Sequence, residues 1–515
     1  MKKVNNYYLI LMVLFGAVVE LIAQPQIWHQ RISETGINLR GNPVILAEIE
    51  VDIPEDGYVE VHFNGQCHSD IGDRIVFAAS DEPNWSPDGG NVGYLNSSLT
   101  VSQGTFSHTR VYRVNAGIDT FYAVAENYVD YGGSGVAAIY ASLTVKFFPE
   151  RSGEPFVRYQ PILKPYFNVR GTPVVVSQID VTIPEDGNVL LRFDGECYAS
   201  LGDLIILAAS DQQDWSPNDG NIGIEVPDNS YNARSFSHSR LYPVFPGDYT
   251  FYAIAQNIIE EDGNGQISVY GMLTLEYFPL SNDNTLLLHQ GINETFIDVR
   301  TNLVAVGQID INPQTPGKAF VHFDGVCYPS VGDLLILAAS NQYDWNINDG
   351  NLSVSVFDDD LNSIPFSHTQ VYDLPAGLSS LYAVAHNYVE LGGSGLASIY
   401  GSLTVEFFPD IQTSINTEEL FPNEFKLNQN FPNPFNPTTS ISFTLPEAGK
   451  IILTVHDVLG NEVAELIDKD FNAGRYEYTW NARNLSSGVY FMAMKVYSSS
   501  QSKELYQVIK MNLLK

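Results

Sequence analysis

Apolar and polar residues alternate without a break in Ala47-Glu48-Ile49-Glu50-Val51-Asp52-Ile53, the period-2 signature of a strand with one buried face. Pro54-Glu55-Asp56-Gly57 supplies turn residues, and Val59, Val61 and Phe63 then resume the alternation against Glu60 and His62. Further strands are predicted at Ile75-Val76-Phe77-Ala78-Ala79, at Thr120 to Ala125 and at Leu143 to Pro149. No stretch has the period of an amphipathic helix. Six to eight strands in about 120 residues, separated by Gly, Pro, Asp and Asn turns, predict an all-β, two-sheet sandwich. A jelly roll is preferred, with an immunoglobulin-like Greek key as the alternative.

The pattern recurs in step. Cys67, Cys197 and Cys327 are each 130 residues from the next, as are Trp85, Trp215 and Trp345, and His108, His238 and His368. In the middle copy Gly195-Glu196-Cys197 is read as opening a strand, followed by Gly202-Asp203, the run Leu204 to Ala209, Asp214-Trp215 and Asn218-Asp219-Gly220-Asn221. Leu204 to Ala209 and Leu334 to Ala339 are apolar on both faces, whereas an isolated sandwich shows one face of each strand to water. A loop or a neighbouring unit is therefore expected to cover the outer face. Arg74 stands where the other copies have Leu204 and Leu334, so such a contact is not the same three times. With linkers as short as 150–158 and 280–287, the units are expected to pack together about a pseudo-threefold axis.

The chain divides into a leader (1–23), three sandwich repeats (24–150, 151–280 and 281–410), a polar linker (411–424) and a smaller, immunoglobulin-like sandwich (425–515). The last segment opens on Asn433-Pro434-Phe435-Asn436-Pro437, where proline excludes a central strand. Strands follow at Ile441 to Pro446, Lys450 to Val455, Tyr476 to Trp480 and Ser486 to Phe491, with a hairpin turn at Leu459-Gly460-Asn461.

Four stretches of this tail, taken together, resemble a known family. Gln429 to Pro437, Asp457-Val458-Leu459-Gly460, Leu485 to Tyr490 and Lys510 to Lys515 are similar to the type A C-terminal sorting domain of the type IX secretion system. The resemblance implies that Asn433, Pro434, Phe435, Asn436, Pro437, Gly460, Gly488, Tyr490 and Lys515 belong to the sorting signal. It also implies general export followed by passage through an outer-membrane translocon, with the domain usually removed and the passenger released or fixed to lipopolysaccharide. His456 departs from the family, which usually has Tyr there. The closing strands of the repeats (Phe121-Tyr122-Ala123-Val124 and Leu143-Thr144-Val145) broadly resemble tumour-necrosis-factor/complement-like jelly rolls, a likeness that carries no functional residue.

Charge narrows the partners. The formal net charge is −34, and the 9 acidic and 9 basic residues of 421–515 cancel. The acidity therefore sits on the repeats. Nucleic acid and anionic membrane are poor partners for such a surface. Lys2 and Lys3, the apolar run Tyr7 to Val19 and Ala23-Gln24 read as a signal peptide with its cleavage point. No other stretch approaches the roughly 20 apolar residues of a membrane span, so no transmembrane anchor is expected in the mature chain. The 3 cysteines fall one per repeat, so no repeat closes its own disulfide, and a buried free thiol is the expectation.

Candidate chemistry lies inside the repeat. Cys67, His108 and Asn127 form a nucleophile, base and orienter set only if the fold joins them. His108, flanked by Ser107 and Thr109, is instead expected to satisfy backbone groups at a strand start. The oxygen-rich loop with Asp211, Asp214, Asn218 and Asp219, repeated at Asp344, Asn348 and Asp349, suggests Ca²⁺ as the one candidate cofactor. A turn stabilised by Asx hydrogen bonds is the competing reading, which Asp88-Gly89-Gly90-Asn91 in the first copy favours. Trp85, Trp215, Trp345 and Tyr131 are candidates for stacking on sugar rings. The resulting expectation is an exported, non-enzymatic binding or adhesion protein at the cell surface or outside the cell. A structural matrix component with self-packing repeats, or a calcium-dependent glycan-binding module, is the alternative.

Overall fold

The computed structural model describes residues 25–85, 91–95, 103–128, 133–200, 202–215, 222–225, 233–258, 265–281, 285–300, 303–343, 352–355, 363–388, 393–410, 425–430, 432–445, 449–471, 474–498 and 504–514. Every regular element among them is a strand, and none is a helix that crosses a membrane. The first repeat contains β1 (Gln26–Asn38), β2 (Val44–Ile53), β3 (Gly57–Ser69), β4 (Arg74–Ser80), β5 (Val92–Leu95), β6 (Gln103–Val114), β7 (Gly117–Tyr128) and β8 (Val136–Pro149). They form two antiparallel sheets of order β1-β8-β3-β6 and β2-β7-β4-β5. This strand order is a jelly roll and excludes the immunoglobulin-like alternative for the repeats.

The second repeat contains β9 (Phe156–Asn168), β10 (Val174–Ile183), β11 (Gly187–Tyr198), β12 (Leu204–Ser210), β13 (Ile222–Glu225), β14 (Ala233–Val244), β15 (Gly247–Asn257) and β16 (Gln266–Pro279). The third contains β17 (Leu286–Asp298), β18 (Val304–Ile311), β19 (Gly317–Pro329), β20 (Leu334–Ser340), β21 (Leu352–Ser355), β22 (Ile364–Leu374), β23 (Ser379–Tyr388) and β24 (Leu396–Pro409). Both keep the same sheet orders. β2 alternates as its sequence requires, with Glu48, Glu50 and Asp52 exposed and Ile49, Val51 and Ile53 buried. Two expectations are corrected. Gly195-Glu196-Cys197 closes β11 rather than opening a strand, and His108 lies in the middle of β6 rather than at its start.

Each repeat has its own apolar core between its sheets, and 23–410 forms one compact unit. The repeats close into a ring. Gly93 of β5 donates its N–H to Glu196 Oε2 on β11 (2.6 Å), and Arg74 reaches the Tyr198 hydroxyl (3.2 Å). Gly223 of β13 faces the Tyr328 hydroxyl on β19. Ser353 of β21 donates its N–H to Gln66 Oε1 on β3 (2.6 Å). Thus first meets second, second meets third and third meets first through the same pair of strands, while the side chains differ each time.

The chain after β4 returns to the outer face of that strand. Trp85 folds back so that its indole N–H meets Glu126 Oε2 (2.6 Å), beside Val76 across the β4–β7 pair. Trp215 makes the same return to Gln256 Oε1 (2.5 Å). Val76 and Ala78 are buried on that face.

The tail is a separate unit of two sheets. One has the order β25-β26-β29 (Lys426–Leu427, Thr438–Leu445, Gly474–Asn481). The other has the order β28-β27-β30-β31 (Glu462–Phe471, Gly449–His456, Gly488–Ser498, Glu504–Leu513). Three strands facing four is an immunoglobulin-like arrangement.

Candidate functional site

Down the centre of the ring, where the inner sheets meet, lies a sealed cluster of charge. Lys146 Nζ on β8 contacts Glu60 Oε2 (2.7 Å), Glu276 Oε2 (2.8 Å) and Glu406 Oε2 (2.9 Å), one carboxylate from each repeat. Arg192 on β11 approaches the same three through Glu60 Oε1 (3.4 Å), Glu276 Oε1 (3.2 Å) and Glu406 Oε1 (3.5 Å). Phe320 closes the cluster, with Lys146 Nζ 4.6 Å from its ring centroid. None of the five charged side chains is more than 1% exposed.

The equivalences are unequal by design of the sequence. Glu60 corresponds to Leu190 and Phe320, His62 to Arg192 and His322, and Lys146 to Glu276 and Glu406. Burial alone would lower the Lys146 and Arg192 pKa values, but the surrounding carboxylates outweigh it and hold both above their ordinary values. Three carboxylates face two cations, so one carboxyl is left without full compensation. Burial, reinforced by Glu276, pushes Glu406 up to about 8. That cost is expected where ionised groups leave water unpaired.

A second layer sits at Asn64, Asp194 and Asp324, two residues beyond His62, Arg192 and His322 on the same strands. Asn64 donates to the Ser367 (3.1 Å) and Thr369 (2.8 Å) hydroxyls, and Asp324 accepts from Ser237 (3.2 Å), Ser239 (2.7 Å) and Ser402 (2.6 Å). The third equivalent, Asp194, has Met272 where the others have Ser142 and Ser402, and burial raises it to about 7. Burial opposes the charge on Asp324, yet contact with His322 and the serine hydroxyls holds its pKa low.

The alternation of Glu60 and His62 with Val59, Val61 and Phe63 predicts a water-facing half of the strand, whereas the structure buries both on the axis. The signal was present: a position that is Glu, Leu and Phe in three copies does not face water.

The proposed triad is not assembled. Cys67, Cys197 and Cys327 are free and buried, with thiol pKa values pushed well up by burial. His108 Nδ1 accepts from the Ala79 N–H (2.9 Å), and burial lowers it to about 3. Asn127 donates to Asp73 Oδ1 (2.8 Å) and accepts from the Arg74 N–H (3.2 Å). It therefore builds the Gly72-Asp73 turn rather than orienting His108.

In the candidate calcium loop, Asp214 Oδ1 accepts from the Trp215 N–H (2.8 Å), and Asn84 does the same for Trp85 (2.8 Å) with no charge at all. That equivalence supports the turn reading for Asp214. Asp211 is exposed, and no group of three metal-ligating side chains occurs among the described residues. Asn218, Asp219, Asp344, Asn348, Asp349, Trp345 and Tyr131 lie outside the described residues, as do the leader and Lys515. Of the stacking candidates, Trp85 and Trp215 are described, and each has its indole N–H committed to a side chain of its own repeat, Glu126 Oε2 and Gln256 Oε1.

In the tail, motif residues far apart in sequence converge. Asn433 donates to the Lys510 carbonyl (3.1 Å) and accepts from the Asn512 N–H (2.8 Å). Phe435 is buried against Trp480 (5.7 Å between ring centroids), and its backbone bridges Asn512 and Leu514 (2.9 Å each). Pro437 accepts from the Ala482 N–H (2.8 Å), while Pro434 and Asn436 are exposed. Gly488 pairs with Leu513 at the same end. The Tyr490 hydroxyl donates to the Ser486 carbonyl (2.8 Å), and Gly460 takes φ 84° in its hairpin. His456 is half-buried.

Residues 429–509 match a family described as the secretion system C-terminal sorting domain. The tail is a type IX sorting domain. This sorting domain marks the chain for export and for contact with the type IX secretion machinery. No curated protein matches the chain.

Among solved structures the chain is similar to dimeric latent PorU from Porphyromonas gingivalis, with 11% identity and a TM-score of 0.16, over 71% of this chain and 34% of that one. It is similar to the Endo-D glycoside hydrolase domain from Streptococcus pneumoniae R6, with 11% identity and a TM-score of 0.12, over 44% and 33%. A triple jelly roll from an archaeal virus gives 12% identity and a TM-score of 0.17, over 74% and 88%. The chain thus spans about a third of the first two. None of these likenesses bears on what the chain binds.

Proposed function

We propose that the mature chain is a non-enzymatic binding or adhesion protein at the cell surface or outside the cell, with the three-repeat ring as cargo. The observation that carries this reading is the ring itself. Its polar interior is spent on holding three unequal jelly rolls together, so its outward loops are left for display in triplicate. Repeated weak sites on one rigid body bind through avidity. The lowered histidine and raised thiols support the absence of catalysis, since a buried thiol with a raised pKa is a poor nucleophile.

The test is retention of the full mature chain on whole cells and on immobilised polysaccharides, with and without a chelator. Retention that survives the chelator supports the reading and removes Ca²⁺ from it. Retention lost with the chelator favours the calcium-dependent glycan module. Absence of retention together with concentration-dependent self-assembly favours a matrix component.

A further inference from the structure

β1, β9 and β17 each carry a bulge near their C-terminal end, and the residue at its left-handed position differs between copies. It is Gly36 (φ 68°) in the first, Tyr166 (φ 47°) in the second and Phe296 (φ 51°) in the third. Register shifts against β8 and β24 mark the bulge in the outer two repeats, between Glu34 and Ile37 and between Glu294 and Ile297. Glycine takes this conformation without strain, whereas a bulky aromatic there is a genuine outlier. Gly36 has open space around the position of a Cβ, so the backbone alone sets the preference for glycine.

The aromatic rings return nothing to the fold. Tyr166 is 72% exposed and Phe296 74%. The strand alongside compensates only where the ring is present. The Tyr166 N–H donates to the Ser268 hydroxyl (3.0 Å) and the Phe296 N–H to the Ser398 hydroxyl (3.1 Å). The first copy has Ala138 at that place, beside its glycine. A strained backbone pinned by a dedicated hydrogen bond, holding a ring out in water, points to a role outside the chain.

We propose that Tyr166 and Phe296 are stacking platforms for the hexose rings of a neutral polysaccharide. The proposal rests on the binding reading above and names a site within it. Each is a single ring, too small for a protein interface, which needs on the order of 1,000 Å². One aromatic face matches one sugar face, and polar groups lie on the same strands: Lys164, whose Nζ donates to the Val175 carbonyl (3.0 Å), precedes Tyr166 by two residues, and Thr295, whose hydroxyl meets that of Tyr400 (3.4 Å), adjoins Phe296. The formal net charge of −34 disfavours polyanions. Two platforms on one rigid body give avidity that one does not.

The test uses the full mature chain and its Tyr166→Gly/Phe296→Gly double variant on immobilised neutral glucans and mannans, with polygalacturonate as the anionic control. The variant is expected to melt at the same temperature or higher, because strain is removed, and to lose about tenfold or more in apparent affinity for the neutral polymers. The Tyr166→Asn/Phe296→Asn variant, which also tolerates this backbone, serves as the check should the glycine variant lose stability. Equal binding by wild type and variants overturns the proposal while leaving the binding reading intact. No binding of the neutral polymers by wild type overturns the proposal, and the binding reading then falls only if the chain is also not retained on whole cells. A change in oligomeric state of the variants assigns the rings to a second copy of the chain and also overturns it.

Discussion

At the scale of single residues, the axis shows how burial decides protonation. Lys146 is the common partner of three carboxylates, and removing it leaves them sealed together without a counter-charge. Lys146→Met is expected to destabilise the ring by about 3–5 kcal/mol, read by denaturant unfolding. Burial pushes Glu406 up to about 8, so its charge is poorly supported at neutral pH, and Glu406→Gln removes that charge while keeping a hydrogen-bonding group of the same shape. Its cost at pH 7 is expected to stay within about 1 kcal/mol, and the variant should resist alkaline destabilisation better than wild type. The cysteines give a third outcome. Buried thiols with raised pKa values should react with a thiol reagent only at the rate of unfolding, and fast labelling of the native chain would contradict their placement.

At the scale of elements, opposed titrations meet in the strands that line the ring. Burial lowers His29 and His289 to about 4 and His108 and His368 to about 3. The unfolded chain binds protons at these sites below about 6.5 and the fold does not, so stability rises with pH up to that value. Asp194 and Glu196 are raised to about 7 and Glu406 to about 8. Their stabilising contribution is complete below the ordinary carboxylate range and is lost as pH climbs through 7 to 8. The melting temperature is therefore expected to peak near pH 6.5 and to fall by pH 8.5, and a monotonic rise to pH 8.5 would contradict the assignment.

These same strands show what the chain discloses in advance. β2 was legible because its polar residues do face water. β3 was not, because alternation says only that two faces differ, and here the second face meets other repeats. The doubly apolar β12 and β20 announce a covered outer face, and Ile206, Ala208, Ile336 and Ala338 are buried, yet only the structure shows the Trp215 indole returning to Gln256 beside β12.

At the scale of the whole molecule, three copies in one chain permit what a homotrimer does not. A ring of three third repeats would place three Glu406 carboxylates together with neither Lys146 nor Arg192, and like charges buried at such range are strongly disfavoured. The sequence therefore specifies one arrangement, first beside second beside third, delivered outside the cell by the sorting domain at its end. The first and third repeats touch although 287 residues separate Gln66 from Ser353. Gln66→Cys and Ser353→Cys introduced together into the full chain, followed by oxidation and non-reducing electrophoresis, test it directly. Closure predicts a reduction-sensitive, faster-migrating monomer that neither single variant gives, whereas chain-to-chain products or no cross-link would show an open string of repeats.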